Sequence, residues 1–242
     1  MGPFDLVQTA VASGNGYTVP GAGTLTSWSN NSAFSINQTM TLAVFRKVAD
    51  PDIYLQVGHD GPRPLQSGIV NTFSTSLPVQ SGDLLGMNPQ SPSTVACTFP
   101  GTAGDSVFNR GPALNDGQQG QFFPFGSPVR LNLTAVFAPS NTVTLGKTAL
   151  NKKKGTATLN LTLPNPGDLS ASGKGVKASS AGAVSSKAVP AGAAKLTIKA
   201  KGAQKQTLDQ TGKVTLKVAI NYTPTGGDPG TQSVKVKLKK NG

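Results

Sequence analysis

The sequence predicts an all-β fold built from two sandwich domains, the first jelly-roll-like and the second immunoglobulin-like. Three observations carry that expectation. The ten acidic residues are all Asp, Glu does not occur, and 29 Gly and 18 Pro are distributed through 242 residues. Helix interiors draw heavily on Ala, Leu, Glu, Lys, Gln and Arg, whereas a Glu-free chain rich in Thr, Val, Ser and turn residues suits pleated strands. Short runs with apolar residues at every second position, punctuated by Gly and Pro, repeat along the chain. The charge is also divided abruptly. Residues 1–142 carry five Lys and Arg against seven Asp, a net of −2, while residues 143–242 carry 17 Lys, no Arg and three Asp, a net of +14. Such a step marks a domain boundary. With the turn-rich segment Ala138-Pro139-Ser140-Asn141-Thr142 it divides the chain into 1–138, a linker 139–142, and 143–242.

In the first half, Gly14-Asn15-Gly16 and Pro20-Gly21-Ala22-Gly23 are turn signals, with strands expected at 17–19 and 24–29. Residues 39–46 alternate with Met40, Leu42 and Val44 on one face, as a half-buried strand should. Residues 53–58 follow with Ile53, Leu55 and Val57 aligned, then 68–77, a Ser81-Gly82-Asp83 turn, and 84–87. The polar, Gly-rich stretch 88–127 is broken by a short strand at 94–99, and 129–137 closes the half. About eight strands with long-range closure favour a jelly roll over a meander. A stretch as long as 88–127 is expected either to carry binding or simply to wander.

In the second half, strands are expected at 143–145, 156–163, 168–173, 175–178, 194–200, 214–222 and 233–239. About seven strands in a hundred residues is the count of an immunoglobulin-like sandwich, although the Cys and Trp of antibody domains are missing. Val214, Leu216, Val218, Ile220 and Tyr222 point one way, as do Val234, Val236 and Leu238. The alternate positions hold Lys213, Lys217, Lys235, Lys237 and Lys239, so a pleated sheet turns these ammonium groups to solvent. They are the candidate contacts for an anionic polymer, against the plainer reading that they protect edges and keep the chain dispersed.

Segments 152–159 (Lys-Lys-Lys-Gly-Thr-Ala-Thr-Leu), 169–176 (Leu-Ser-Ala-Ser-Gly-Lys-Gly-Val) and 218–227 (Val-Ala-Ile-Asn-Tyr-Thr-Pro-Thr-Gly-Gly) resemble the Lys-rich, immunoglobulin-like C-terminal modules of secreted proteins from high-GC actinobacteria. The first half is similar to the β-sandwich modules that precede them, through Gly23-Thr24-Leu25-Thr26-Ser27-Trp28 and 77–86. The resemblance implies export and architecture, and it transfers no catalytic residue. Export also fits the low charge and Gly/Ser/Thr/Asn abundance of the first half. Met-Gly-Pro-Phe-Asp has neither the basic nor the apolar region of a signal peptide, as expected once a leader has been removed. No apolar run is long enough for a membrane span.

The side chains offer little for catalysis. Cys97 is the only cysteine, expected as a small buried hydrophobe, and it excludes an intrachain disulfide. His59 is the only histidine, between Gly58 and Asp60-Gly61-Pro62, and reads as an exposed turn residue. Zinc would need Asp60, Cys97 and His59 to converge, so no metal site is expected. Asp50-Pro51-Asp52 suits either a turn or a loop calcium, the one cofactor the sequence leaves open. A glycan-active hydrolase, the rival reading, would need paired carboxylates across a cleft. The aromatic residues point to binding instead: Trp28, Tyr54, Phe122, Phe123 and Phe125 are candidate ligand contacts, with a core role as the alternative. Clustered Lys without Arg or interleaved aromatics does not read nucleic-acid bases. Asn-x-Ser/Thr sequons occur at Asn30, Asn37, Asn132, Asn160 and Asn221. The expectation is a non-catalytic binding or structural protein of the cell surface or extracellular matrix, with a carbohydrate-binding module or enzyme as its alternative.

Overall fold

The structure, a computed structural model, describes residues 4–14, 16–32, 38–89, 97–126, 128–180 and 189–241. Asn15, the sequon residue Asn37 and the 94–96 part of the expected strand lie outside the described residues. Contacts divide the chain into two compact units, Met1–Ala138 and Pro139–Gly242. Both are β-sheet structures of sandwich type. No helix among the described residues is long and apolar enough to cross a membrane.

The first unit contains β1 (Asp5–Ala10), β2 (Gly23–Ser32), β3 (Thr39–Ala49), β4 (Ile53–Pro64), β5 (Ile69–Val79) and β6 (Leu84–Pro89). It continues through β7 (Thr98–Pro100), β8 (Ser106–Arg110), β9 (Gln119–Gln121), β10 (Phe123–Pro124), β11 (Val129–Leu131) and β12 (Thr134–Pro139). The large sheet has the order β10-β8-β1-β6-β3-β4-β9, a second sheet the order β12-β2-β5, and β7 pairs with β11. The first six strands pair in a nested way, β3 with β4, β2 with β5 and β1 with β6, and successive pairs fall in alternate sheets.

The main core lies between these two sheets, where Leu25, Trp28 and Val79 meet Leu6, Met40, Leu42, Val44 and Met87. Strand β3 is buried on both sides: Met40, Leu42 and Val44 join this core, while Ala43 and Phe45 belong to a second cluster behind the large sheet. The half-buried strand read from 39–46 is thereby corrected; five apolar residues among positions 40–45 suit a strand covered on both faces.

The 129–137 segment is also revised. It splits at Asn132, whose N–H donates to the Cys97 carbonyl at 2.8 Å, and its two halves join different sheets. Two buried carboxylates secure the surrounding turns. Asp83 accepts a bidentate pair from Arg46 at 2.7 and 2.9 Å and the Gln80 N–H. Asp105 accepts the same arrangement from Arg130, plus the N–H groups of Thr102 and Ala12, and these donors hold its carboxyl well below the ordinary range.

The second unit contains β13 (Thr144–Asn151), β14 (Thr156–Leu163), β15 (Gly167–Ser172), β16 (Val176–Ser180), β17 (Gly192–Ala200), α1 (Ala203–Thr211), β18 (Lys213–Pro224) and β19 (Gly230–Lys239). A four-stranded sheet, β13-β14-β17-β16, and a three-stranded sheet, β15-β18-β19, enclose one aliphatic core. Its single aromatic, Tyr222, donates its hydroxyl to the Asn165 carbonyl at 2.6 Å.

Helix α1 was not expected from a composition so poor in helix formers. Locally, Ala203-Gln204-Lys205-Gln206 and Leu208 are good formers, and Lys205 pairs with Asp209 one turn on at 2.6 Å. Leu208 is its one buried residue, and Gly212, in the left-handed region at φ 70, ends it by donating to the Leu208 carbonyl. Gly212→Ala should therefore cost about 1–2 kcal/mol, read as a lower urea midpoint with unchanged slope.

Candidate functional site

The large sheet of the first unit nearly closes on itself. Strands β9 and β10 are separated only by Phe122, yet β9 pairs with β4 at one edge and β10 with β8 at the other. The segment 119–124 thus bridges the two edges and encloses a small interior. Phe122 points into it, meeting Phe45 and Tyr54 edge to face, each with ring centroids 5.2 Å away. Val7, Ala43 and Leu114 complete this apolar part. Gly86 leaves the room for Phe45, since a Cβ there would lie 2.5 Å from its ring.

Polar side chains fill the rest. Asp5 is fully buried and accepts the Leu114 N–H at 2.7 Å and the Asn88 amide at 3.1 Å. Burial pushes its carboxyl up to about 6, against the opposing pull of those donors and of Arg110. A pocket of about 250 Å³ opens here, lined by Thr41, Ala43, Gln56, His59, Asn88 and Leu114 among others. Gln56 is 4% exposed and Thr41 5%. The Gln56 amide donates to Asp116 at 2.9 Å, while among the described residues its buried Oε1 has no partner, and neither does the buried Thr41 Oγ1. His59 Nδ1 lies 2.8 Å from the same Asp116 oxygen. With the Asp116 oxygen accepting, Nδ1 carries the hydrogen of that bond.

His59 is exposed as expected, but it sits within strand β4 opposite Ala43, not in a turn. Register shifts between β3 and β4 let this hairpin run on past Gly58. Its carboxylate partner is Asp116, 57 residues away, rather than the adjacent Asp60. Asp60 instead accepts the Trp28 indole N–H at 2.6 Å and an Arg63 N–H at 2.6 Å. Burial pushes the Asp60 carboxyl up, but these donors outweigh it and hold it below the ordinary value.

The aromatic platform read from the sequence is corrected at three positions. Trp28 is 1% exposed in the main core, stacked at a tilt on Phe73 with centroids 4.7 Å apart. Tyr54 and Phe122 are buried in the barrel interior, because the pleat turns Tyr54 away from Ile53 and Leu55 and into that space. Phe125 is half-buried against the main core, and only Phe123 is exposed. The paired Asp50 and Asp52 are both engaged by Lys47, at 2.6 and 3.3 Å. Cys97 is buried. Among the described residues no three His, Cys, Asp or Glu are grouped as a metal site would require.

In the second unit, the lysines alternate outward as the pattern suggests: Lys213, Lys217, Lys235, Lys237 and Lys239 are all exposed. The structure adds their register. Lys213 lies directly opposite Lys239 and Lys217 opposite Lys235, with Lys237 opposite Thr215. Like charges facing across an antiparallel pair are destabilising. The only acid on these three strands is Asp168, which pairs with Thr223, about 20 Å along β18 from Lys217. That separation exceeds the roughly 8 Å over which charge acts at physiological salt. Beside the lysines is an open groove of about 480 Å³ lined by Lys174, Gln204, Thr215, Lys217 and Ser233.

No protein-family model matches the chain, and no curated protein matches it.

Proposed function

We propose that the chain is an exported, non-catalytic binding protein of the cell surface or extracellular matrix, attached to anionic polymer through the lysine face of its second unit. The carrying observation is the register of β18 and β19, which sets Lys213 against Lys239 and Lys217 against Lys235. Lysines placed only for dispersal work equally well scattered, whereas facing pairs cost stability until an anion lies between them. Lys is a point charge and not a planar fork, so the partner is a flexible polyanion recognised by charge density.

The reading includes a jelly-roll-like first unit and an immunoglobulin-like second. Nested pairing of six strands across two sheets supports the former. Four strands in the order β13-β14-β17-β16 against three in the order β15-β18-β19 support the latter, as in constant-type immunoglobulin domains.

The test is retention of the full chain on immobilised polyglycerol phosphate and on heparin, across roughly 50 to 500 mM salt. Retention should fall steeply with salt. Replacing Lys217 and Lys235 together by Ser should reduce the slope by roughly two charges and leave the fold as stable or slightly more so. Absence of retention at the lowest salt would leave the lysines as solvation alone. Hydrolysis of any glycan offered in the same screen would favour the enzymatic rival.

A further inference from the structure

We propose that the free edge of strand β5 pairs antiparallel with the same strand of a second copy of the chain, joining two first units into a dimer. The observation that carries this is an absence of charge. β5 runs for 11 residues, Ile69–Val79, at one side of the sheet β12-β2-β5, and it holds no Asp, Glu, Lys or Arg. It pairs with β2 on one side, and among the described residues no strand pairs with its other side. A long uncharged edge is a template for another strand, because its outward N–H and C=O groups lack ladder partners. Ile69 is 46% exposed, and Val70, at 60%, is the most exposed large apolar side chain among the described residues.

The other outer strands are protected. β13, β15, β16 and β19 each carry a Lys or an Asp. β7 and β11 are three residues long, and β12 has six and ends in Pro139. β9 and β10 have three and two residues and are joined through Phe122. Charge, shortness and Pro are the usual means of blunting an edge, and β5 uses none of them from Ile69 to Leu77, with Pro78 only near its end.

A second copy is the occupant because this edge suits itself. Identical strands paired antiparallel are related by a two-fold axis, so assembly closes at two chains. Full overlap of 69–79 puts Ser74 on that axis, opposite the partner's Ser74. Thr72 then meets the partner's Ser76, a favourable cross-strand pair, and the exposed Val70 is set against the partner's Pro78. No charge enters the seam, and residues 1–142 carry a net of only −2, so two first units approach with little repulsion. A ladder supplies about one hydrogen bond per paired residue, so about ten form here, as many as in a typical interface. The lysine face takes no part.

The experiment is sedimentation velocity of the full chain from about 2 to 200 μM, where interfaces of modest quality assemble. A dimer should form within that range and should not weaken between roughly 50 and 500 mM salt, because no ion pair holds it. Ser74 is exposed, so Ser74→Lys and Ser74→Asp should leave the melting temperature near the parent's. Each should raise the dimer dissociation constant roughly tenfold or more at the low-salt end, by setting like charges on the axis. Mixing the two variants should restore a dimer containing one of each, since the charges then attract. Val70→Lys should weaken the parent dimer likewise, and it carries the test should the Ser74 variants not fold. The proposal is overturned if the parent stays monomeric throughout, which would leave the edge to a different protein. It is equally overturned if the variants dimerise as the parent does, or if their mixture stays as monomeric as its components. None of these outcomes alters the polyanion test, whose retention falls with salt and reads a different unit.

Discussion

Trp28→Ala should lower the stability of the chain by about 3–5 kcal/mol, moving the melting transition of the first unit down on the order of 10–15 °C. The indole is 1% exposed and packs on Phe73 between the two sheets. A close-packed core relaxes only partly around such a gap, so both transfer energy and cavity cost are expected. The ring also donates to Asp60, at 2.6 Å, so its loss removes one of the donors that hold that carboxylate. Trp28→Phe separates the two contributions. It keeps most of the packing but gives up the N–H, and with Arg63 still paired to Asp60 it should cost only about 1–2 kcal/mol. Circular dichroism melts measure both without relying on the lost fluorophore. A cost below about 1 kcal/mol for the alanine variant would mean that the ring is not a core element. It would also reopen Trp28 as a surface contact.

How much of this was legible depended on whether the signal was local. Period-two patterns such as Ala157, Leu159, Leu161 and Leu163 in β14 appear unchanged as core residues, because one face of that strand is buried and the other is not. The same rule misreads β3, where a nearly unbroken apolar run supplies two cores at once. Tyr54 looked like a surface ring because it alternates with Ile53 and Leu55; the second, enclosed face of the sheet makes that the buried side.

Helix α1 was hidden by averaging, since a chain-wide shortage of Glu says nothing about nine residues that contain Gln, Lys, Ala and Leu. The candidate pocket was the least legible feature. His59 and Asp116 are 57 residues apart, and only the bridging of both sheet edges by 119–124 brings that loop across the barrel. The outward lysines were readable from alternation, but their facing pairs depend on hairpin register, set by the turn between Pro224 and Gly230.

Asp5→Asn should stabilise the chain at pH 8 by up to about 3 kcal/mol and change little at pH 4. Asp5 is fully buried in the barrel interior, and burial raises its carboxyl from the ordinary 3.8 to about 6. Between those values the folded chain keeps a proton that the unfolded chain releases. Stability from this group is therefore fully present below about 4 and is lost as pH rises through about 6, the reverse of a salt-bridged carboxylate. Asp105, held below its ordinary value by Arg130 and two backbone N–H groups, acts in the opposite sense and loses its contribution as pH falls beneath the usual carboxylate range.

The two effects occupy different windows, so the difference between parent and Asp5→Asn isolates the first. An amide can still accept the Leu114 N–H, and Asn88 can meet the new NH₂ by turning its own amide end for end. Any cost of that turn reduces the gain equally at all pH values and leaves the slope intact. Urea unfolding of both proteins from pH 4 to pH 8 should show the difference growing between about 4 and 6 and then levelling. A constant difference would mean that burial does not raise the Asp5 carboxyl above its unfolded value.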